Sequence, residues 1–102
     1  MFKKFIFDTV SRKRIRWQRH VLERMMGRDI FRNDVKQVLL EGELIEQYPD
    51  DDPFPSGLFL GFINDKPLHV VVGADREQTW CYVVTAYRPD LEHFENDFKT
   101  RK

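Results

Sequence analysis

The spacing of apolar residues changes at Gly42, and this change constrains the fold more than any other feature of the sequence. Before Gly42 the apolar residues recur every three or four positions, which is typical of amphipathic helices. After Gly42 they alternate or run together in short segments, which is typical of strands. Helices followed by strands predict an α+β domain, with the helices packed on one face of an antiparallel sheet.

The helical part of the sequence contains three predicted helices and one short strand. The apolar spacing predicts helices over residues 2–11 and 18–27, and Gly27 helps to end the second. Asn33 is the expected N-cap of a third helix, which continues to Glu41. Between the first two helices, residues 12–17 predict a short strand with Ile15 and Trp17 on one face.

The second part of the sequence predicts strands, turns and a final helix. The predicted strands are ELIEQYP, LFLGFI, LHVVVGA and TWCYVVTAY, with a loop at DDDPFPSG and a hairpin turn at NDKP. Pro89 and Asp90 are expected to open a last helix, in which Leu91, Phe94 and Phe98 form the inner stripe.

Length and cysteine content favour one domain in a reducing compartment. The 102 residues suffice for one hydrophobic core, so we expect a single domain over residues 1–102. The single cysteine, Cys81, lies in an apolar run and is expected to be a core residue rather than a nucleophile. The apolar run in MFKKFIFD stops at Asp8, which is too short for an export signal. A cytoplasmic protein is therefore expected.

Charge is distributed unevenly along a chain whose net charge is zero. Residues 1–28 contain nine Lys or Arg and two acids, whereas residues 41–65 contain seven acids and no Lys or Arg. Such asymmetry indicates either a basic face for a polyanion or two segments that fold together as surface ion pairs. The sequence leaves both interpretations open.

The predicted second helix carries a polar row of His20, Arg24 and Arg28 at four-residue spacing. Arginine presents a fork of donors that matches phosphate oxygens, and a neighbouring imidazole suits a general base near neutral pH. The alternative is a structural row in which His20 bonds locally and the arginines pair with Glu23 or Asp29. Spacing alone slightly favours the structural interpretation.

A second group of candidate residues lies in the strands. Alternation places His69 and Val71 on one face, and Thr85 and Tyr87 share a face of the following strand. If His69, Thr85 and Tyr87 all point toward the second helix, they form a pocket with its histidine and arginines. A lone strand histidine is more often a buried structural residue. His93, flanked by acids, is expected at the surface.

Cofactor motifs are absent from the sequence. The histidines and the cysteine show no short metal-ligand spacing, and the chain has neither a phosphate-binding glycine loop nor a nucleophile elbow. We therefore expect no metal site and no cofactor.

Several motifs follow one another along the chain: His-x-x-x-Arg-Met-x-x-Arg on the predicted second helix, the acidic YPDD segment, PLHVVV, VVTAYRPD and the basic end FENDFKTRK. In these motifs and their order, nearly the whole chain resembles a bacterial family, the domain of unknown function 4258. Members are toxin-like proteins encoded beside zinc-finger antitoxins of the MqsA/YgiT type, and are grouped with ribonucleases of the barnase/RelE-like fold. The residues that the resemblance implies are His20, Arg24, Arg28, His69, Thr85, Tyr87 and Arg101.

The function expected from residues and resemblance together is a metal-independent endoribonuclease, the toxin of a type II toxin–antitoxin pair. In single-stranded RNA a 2′-hydroxyl would attack the adjacent phosphate, with His20 or His69 as base and the other imidazole or Tyr87 as acid. The phosphate would be held by Arg24 and Arg28, and the RNA backbone by Arg16, Thr85, Arg88 and Arg101.

A rival expectation is a small non-catalytic binding module, or a degenerate toxin. Such a protein would dock a partner through the basic face or through the acidic loop YPDDDPFPS. The zero net charge favours this rival, because dedicated RNA-binding proteins are usually basic overall.

Overall fold

A computed structural model describes all 102 residues as a single small α+β domain with a five-stranded sheet. The helices are α1 (Phe2–Ser11), α2 (Arg19–Gly27) and α3 (Arg32–Glu41). The strands are β1 (Ile15–Trp17), β2 (Glu43–Tyr48), β3 (Ser56–Ile63), β4 (Lys66–Asp75) and β5 (Trp80–Tyr87). The predicted change from helices to strands at Gly42 is confirmed. None of the helices is both long enough and apolar enough to cross a lipid bilayer.

The sheet has the strand order β1-β5-β4-β3-β2 and is mixed rather than purely antiparallel. Strands β2 to β5 pair antiparallel with their neighbours, and Asn64 and Asp65 form the predicted tight turn with φ of 52° and 66°. Strand β1 instead pairs parallel with β5, with Arg16 opposite Tyr82. The short strand enters from the first helix and leaves into the second, which allows a parallel pairing that local spacing did not predict.

The main core lies between the helices and one face of the sheet. On β4 the residues Leu68, Val70 and Val72 join this core, whereas His69 and Val71 between them point the other way. Ile15 and Trp17 pack against the same core, as predicted. Cys81 is fully buried in it, and burial raises the pKa of its thiol, which disfavours the reactive thiolate.

The opposite face of the sheet, called the outer face below, bears His69, Tyr82 and Tyr87. Two irregular segments flank it, the loop at residues 49–55 and the tail at residues 88–102. Leu58 and Leu60 on this face are buried, and so is Phe94 in the tail. A smaller second core therefore lies between the outer face and the tail.

The predicted last helix was wrong, because the tail forms successive turns. The Asp90 carboxylate accepts hydrogen bonds from the backbone N–H groups of Glu92 and His93, as an N-cap does, and the Asp90 carbonyl accepts one from the Phe94 N–H, so one turn forms. Asp97 does the same for the two residues after Phe98, which itself has a φ of 58°. The left-handed backbone at Phe98 and the hydrogen bond from the Glu95 N–H to the Thr100 carbonyl prevent the first turn from continuing as a helix.

The start of α3 also differs from the prediction by two residues. Phe31 occupies the N-cap position, and Asn33 lies inside the helix. The Asp34 carboxylate accepts a hydrogen bond from the Phe31 N–H at 3.1 Å, which satisfies one of the donors left free at a helix start.

Candidate functional site

The row on α2 is exposed, but its last member has a structural partner. His20 and Arg24 lie at the surface, while Val21 and Met25 of the same helix are buried against the core. Arg28 follows the helix and donates a hydrogen bond from Nη1 to the Ala86 carbonyl at 2.9 Å. That carbonyl belongs to the part of β5 beyond its pairing with β1, so Arg28 satisfies an edge acceptor.

Arg88 is also engaged with the backbone. Its Nη1 and Nη2 atoms donate to the carbonyls of Arg28 and Asp29 at 2.5 and 3.1 Å. Asp29 has a φ of 60°, so Arg88 fastens a left-handed turn to the end of β5. Binding of a phosphate by Arg28 or Arg88 would compete with these hydrogen bonds.

The pocket expected between His69 and α2 does not form, because His69 lies on the outer face and α2 packs on the inner one. His69 is fully buried, and its Nε2 atom donates to the Phe98 carbonyl at 2.7 Å. Since a carbonyl only accepts, Nδ1 is the unprotonated atom and accepts from the Tyr87 hydroxyl at 3.2 Å. Phe94 packs edge-on against the ring at 4.7 Å. Both ring nitrogens therefore have partners inside the protein.

Electrostatics around His69 favour its neutral form. Burial lowers the pKa of the imidazole, and the nearby Arg101 charge lowers it further. The Phe98 carbonyl and the Glu46 carboxylate act in the opposite direction and compensate only in part. Burial also raises the pKa of Tyr87, which keeps its phenol protonated.

Arg101 is fixed by a carboxylate rather than free for RNA. Its Nε and Nη2 atoms donate to the two Glu46 oxygens at 2.9 and 3.1 Å, a fork geometry typical of strong arginine–carboxylate pairs. The Tyr48 hydroxyl donates to the same carboxylate. The hydrogen bond from Arg101 holds the pKa of Glu46 low against the opposing effect of burial. Arg101 thus ties the tail to β2.

His20 lies apart from this cluster, at a pocket of about 280 Å³ near the other end of the outer face. The lining residues that carry chemistry are Gln18, His20, Asp51, Asp52, Phe54 and Tyr82. Tyr82 and Tyr87 are separated along β5 by roughly 15 Å at the usual rise per residue. The structure therefore brings together His69, Tyr87 and Arg101, with Thr85 on the same face, and separates them from His20.

A continuous stack of rings and guanidinium groups, called the cation–aromatic ladder below, leads away from this pocket. Its members are, in spatial order, Phe54, Tyr82, Arg16, Trp80 and Arg14. The Phe54 and Tyr82 rings stack at 5.1 Å with 11° between their planes. The Arg16 guanidinium lies 5.9 Å from the Tyr82 ring and 4.2 Å from the Trp80 ring, and that of Arg14 lies 4.5 Å from Trp80.

Only Arg16 of this ladder was predicted as a binding residue. A signal was present in the sequence, because Arg14 and Arg16 alternate at strand spacing, and so do Trp80 and Tyr82. The parallel pairing of β1 with β5, which local spacing did not predict, places the two pairs side by side.

The ion pairs settle how the two charged segments of the chain are arranged. The acidic residues Glu43 and Glu46 pair with Lys99 and Arg101 of the tail. Within residues 1–28, the one ion pair is the local contact between Lys4 and Asp8. No ion pair joins the basic first quarter to residues 41–65, so the ion-pair interpretation of the charge asymmetry is wrong.

Two other places on the surface carry clusters of charged side chains. A larger pocket, of about 460 Å³, lies between the end of α3 and the β2–β3 edge. Its charged lining residues are Glu41, Glu43, Asp97 and Lys99. It holds carboxylates but no histidine to pair with them as a second proton-transfer group. The one cluster close enough to hold a metal ion is Asp90, Glu92 and His93, all exposed, whose ligand atoms lie within 4.8 Å.

Comparison with known proteins identifies a family and nothing closer. The family model described as "Domain of unknown function (DUF4258)" matches residues 17–88. This range includes the pocket histidine His20 and the ladder rings of β5, and it ends at the first residue of the tail. No curated protein and no solved structure matches the chain.

Proposed function

The chain belongs to the DUF4258 family, a domain of unknown function, and from that premise we propose that it is a metal-independent endoribonuclease acting on single-stranded RNA. The observation that carries the proposal is the pocket in which the His20 imidazole and the Asp52 carboxylate line one cavity. General acid–base cleavage of RNA needs two proton-transfer groups within reach of one phosphate, and a carboxylate with an imidazole meets that need.

The proposed reaction uses Asp52 as base and His20 as acid. Asp52 is exposed and forms no ion pair, whereas the neighbouring Asp51 carboxylate is engaged by the Ser56 hydroxyl. The Asp52 carboxylate takes the proton of a ribose 2′-hydroxyl while the 2′-oxygen forms a bond to the adjacent phosphorus. The bond to the 5′-oxygen breaks, and His20 gives that oxygen a proton. The products are a 2′,3′-cyclic phosphate and a 5′-hydroxyl end.

Arg24 is the member of the α2 row best suited to the phosphate. It follows His20 by one helical turn, is exposed, and forms no ion pair with a carboxylate. Its guanidinium would stabilise the charge that develops on the phosphate oxygens. In this proposal Arg28, Arg88 and Arg101 support the fold.

His69 and Tyr87 are placed outside the reaction. Both His69 nitrogens are occupied and the ring is fully buried. His69 lies on β4 opposite Tyr87, and Tyr87 is five residues along β5 from Tyr82 of the His20 pocket. We propose that His69 and Tyr87 position the tail on the outer face. Thr85 is an uncharged residue beside them on β5.

The biological setting is part of the same proposal. A ribonuclease of this kind would be the cytoplasmic toxin of a toxin–antitoxin pair, held inactive by a zinc-finger antitoxin. The support for this partner is the sequence resemblance described above, and co-purification with the product of the adjacent gene tests it. A chain that stays monomeric beside that product would argue against the partner.

The test of the activity is cleavage of single-stranded RNA in EDTA. We expect the wild-type chain to release ends with 2′,3′-cyclic phosphates, and His20→Ala and Asp52→Ala each to reduce the rate by about 10²-fold or more. His93→Ala is the matched control, because His93 is exposed and lies outside the pocket. No cleavage by wild type, or equal rates for His20→Ala and His93→Ala, would reject the proposal.

A non-catalytic RNA-binding module is the second candidate, and one observation favours it. Three of the predicted RNA-contacting arginines, Arg28, Arg88 and Arg101, are already bonded to the protein. Fewer free cations at the pocket leave less stabilisation for a developing negative charge. RNA binding without any cyclic phosphate product would identify this function.

A further inference from the structure

We infer that the cation–aromatic ladder is a binding track for unpaired bases, which leads a single RNA strand into the His20 pocket. The inference deepens the proposed function and rests on it for the direction in which the strand runs. It concerns binding alone, and the experiment below separates it from cleavage.

Two neighbouring strands supply the side chains of the ladder. Ile15 and Trp17 of β1 face the core, so Arg16 between them and Arg14 just before the strand face the outer side. In β5, Cys81 and Val83 face the core, so Trp80 and Tyr82 face outward. The register sets Arg16 opposite Tyr82, and cations therefore alternate with rings across the strand pair.

The ladder carries a positive charge that no carboxylate neutralises. Arg14 donates from Nε and Nη2 to the carbonyls of Thr79 and Gln78 at 2.7 and 2.9 Å, so its position is fixed while its charge is retained. Neither Arg14 nor Arg16 takes part in an ion pair. The guanidinium groups of Arg14 and Arg16 lie 4.5 and 4.2 Å from the same Trp80 ring, so their charges repel each other, and a bound anion would relieve that repulsion.

A ligand that makes use of the whole ladder must contact both its aromatic rings and its cations. A single nucleic-acid strand offers exposed base faces, which stack on aromatic rings and guanidinium planes, and phosphates, which pair with cations. A duplex conceals its base faces and uses only the charge. A protein segment rich in acids also uses only the charge. The alternation of rings and cations therefore fits a single nucleic-acid strand best, and the proposed ribonuclease activity makes that strand RNA.

The ladder is continuous with the His20 pocket. Phe54 and Tyr82 line the His20 pocket and form one end of the ladder. A strand whose bases stack along the ladder thus arrives with its backbone at His20. The ladder sets where RNA binds, and the pocket acts on the phosphate that reaches it.

The experiment uses an RNA in which cleavage cannot occur. A fluorescent 12-nucleotide strand with 2′-O-methyl groups has no hydroxyl for attack, and its anisotropy reports binding to the full chain. We expect the single strand to bind about tenfold or more tightly than its duplex. Trp80→Leu should weaken single-strand binding about 5- to 100-fold, as expected for the loss of a stacking platform.

Exposed variants keep the test independent of folding. Arg16 is exposed, so Arg16→Ala should leave the circular dichroism spectrum unchanged and reduce the slope of log affinity against log salt by about 0.7. Arg32→Ala is the matched control, an exposed arginine at the start of α3 and outside the ladder.

Three results would overturn the inference: equal affinity for single strand and duplex, equal effects of Arg16→Ala and Arg32→Ala, or full competition by polyglutamate of the same charge. If the ladder binds the methylated strand but unmodified RNA is never cut, the binding track stands and the ribonuclease proposal fails. If unmodified RNA is cut but the ladder variants do not affect binding, the ribonuclease proposal stands and the binding track fails.

Discussion

His69 should make the stability of this protein fall as the solution becomes mildly acidic. The perturbation is a change from about pH 7.5 to about pH 5.5, the range in which an unfolded histidine gains its proton. In the folded protein the imidazole is fully buried, and its neutral form is held by the Phe98 carbonyl and the Tyr87 hydroxyl. The charged groups that face it are Glu46 and Arg101.

The sign follows from the direction of the pKa shift. Burial lowers the pKa of His69 in the folded state below the ordinary value of 6.5, so the unfolded chain binds the proton first as pH falls. The stabilising contribution is therefore complete well above pH 6.5 and is lost below it, until the folded pKa is reached. The greatest slope for one such group is about 1.4 kcal/mol per pH unit.

The assay is urea unfolding followed by circular dichroism across this pH range. His69→Gln removes the titrating group and retains a donor for the Phe98 carbonyl, so the slope between about pH 6.5 and 5.5 should disappear. His93→Gln removes an exposed imidazole and should retain the slope. Glu46 does not interfere, because Arg101 lowers its pKa below 4.5. Equal slopes in wild type and His69→Gln would refute the reasoning.

Three further predictions concern stability and are measured by urea unfolding. Gly42→Ala should lower the free energy of unfolding by about 1–3 kcal/mol, because the new Cβ would lie 2.5 Å from two backbone carbonyl oxygens. Gly27→Ala meets nothing within 4 Å and should not destabilise, so equal losses would contradict the argument. Phe94→Ala should cost about 3–5 kcal/mol and Arg101→Ala no more than about 1 kcal/mol, since Phe94 is 3% exposed and the arginine pair lies at the surface; the reverse order would show that charge, not burial, holds the tail. Arg28→Ala should cost about 1–2 kcal/mol with unchanged RNA affinity of the folded protein, and a loss of affinity without a loss of stability would return Arg28 to the RNA site.

Residues that depend on local alternation were assigned correctly from the sequence. His69 and Val71 share a face, Thr85 and Tyr87 share a face, and Cys81 lies in the core, all as the strand pattern predicts. Local spacing fixes these relations because successive strand side chains point to opposite sides. The same spacing cannot say which of the two faces the helices cover, and this is why the expected pocket of His69 beside α2 was wrong.

The tail shows where periodicity misleads. Leu91, Phe94 and Phe98 have helical spacing, yet the chain there forms turns that bring Phe94 against the outer face. The aspartates at positions 90 and 97 each cap a separate turn, and the left-handed backbone of Phe98 prevents a continuous helix. Burial of Phe94 holds the tail on the outer face, and the pairing of Arg101 with Glu46, 55 residues away, adds a contact to β2. The tail therefore adopts a conformation that its apolar spacing alone does not indicate.

The sequence by itself determined the order of the elements as far as the end of β5, the α+β class, and the exposed row of His20 and Arg24 on one helix. These properties depend on neighbours within a few residues, where side-chain spacing translates directly into helix or strand. Only the tertiary structure decided that β1 lies parallel to β5, and thereby set Arg14 and Arg16 among the rings of Trp80 and Tyr82. Contacts across more than 60 residues depend on which strands find a common core, and local periodicity carries no information about that choice.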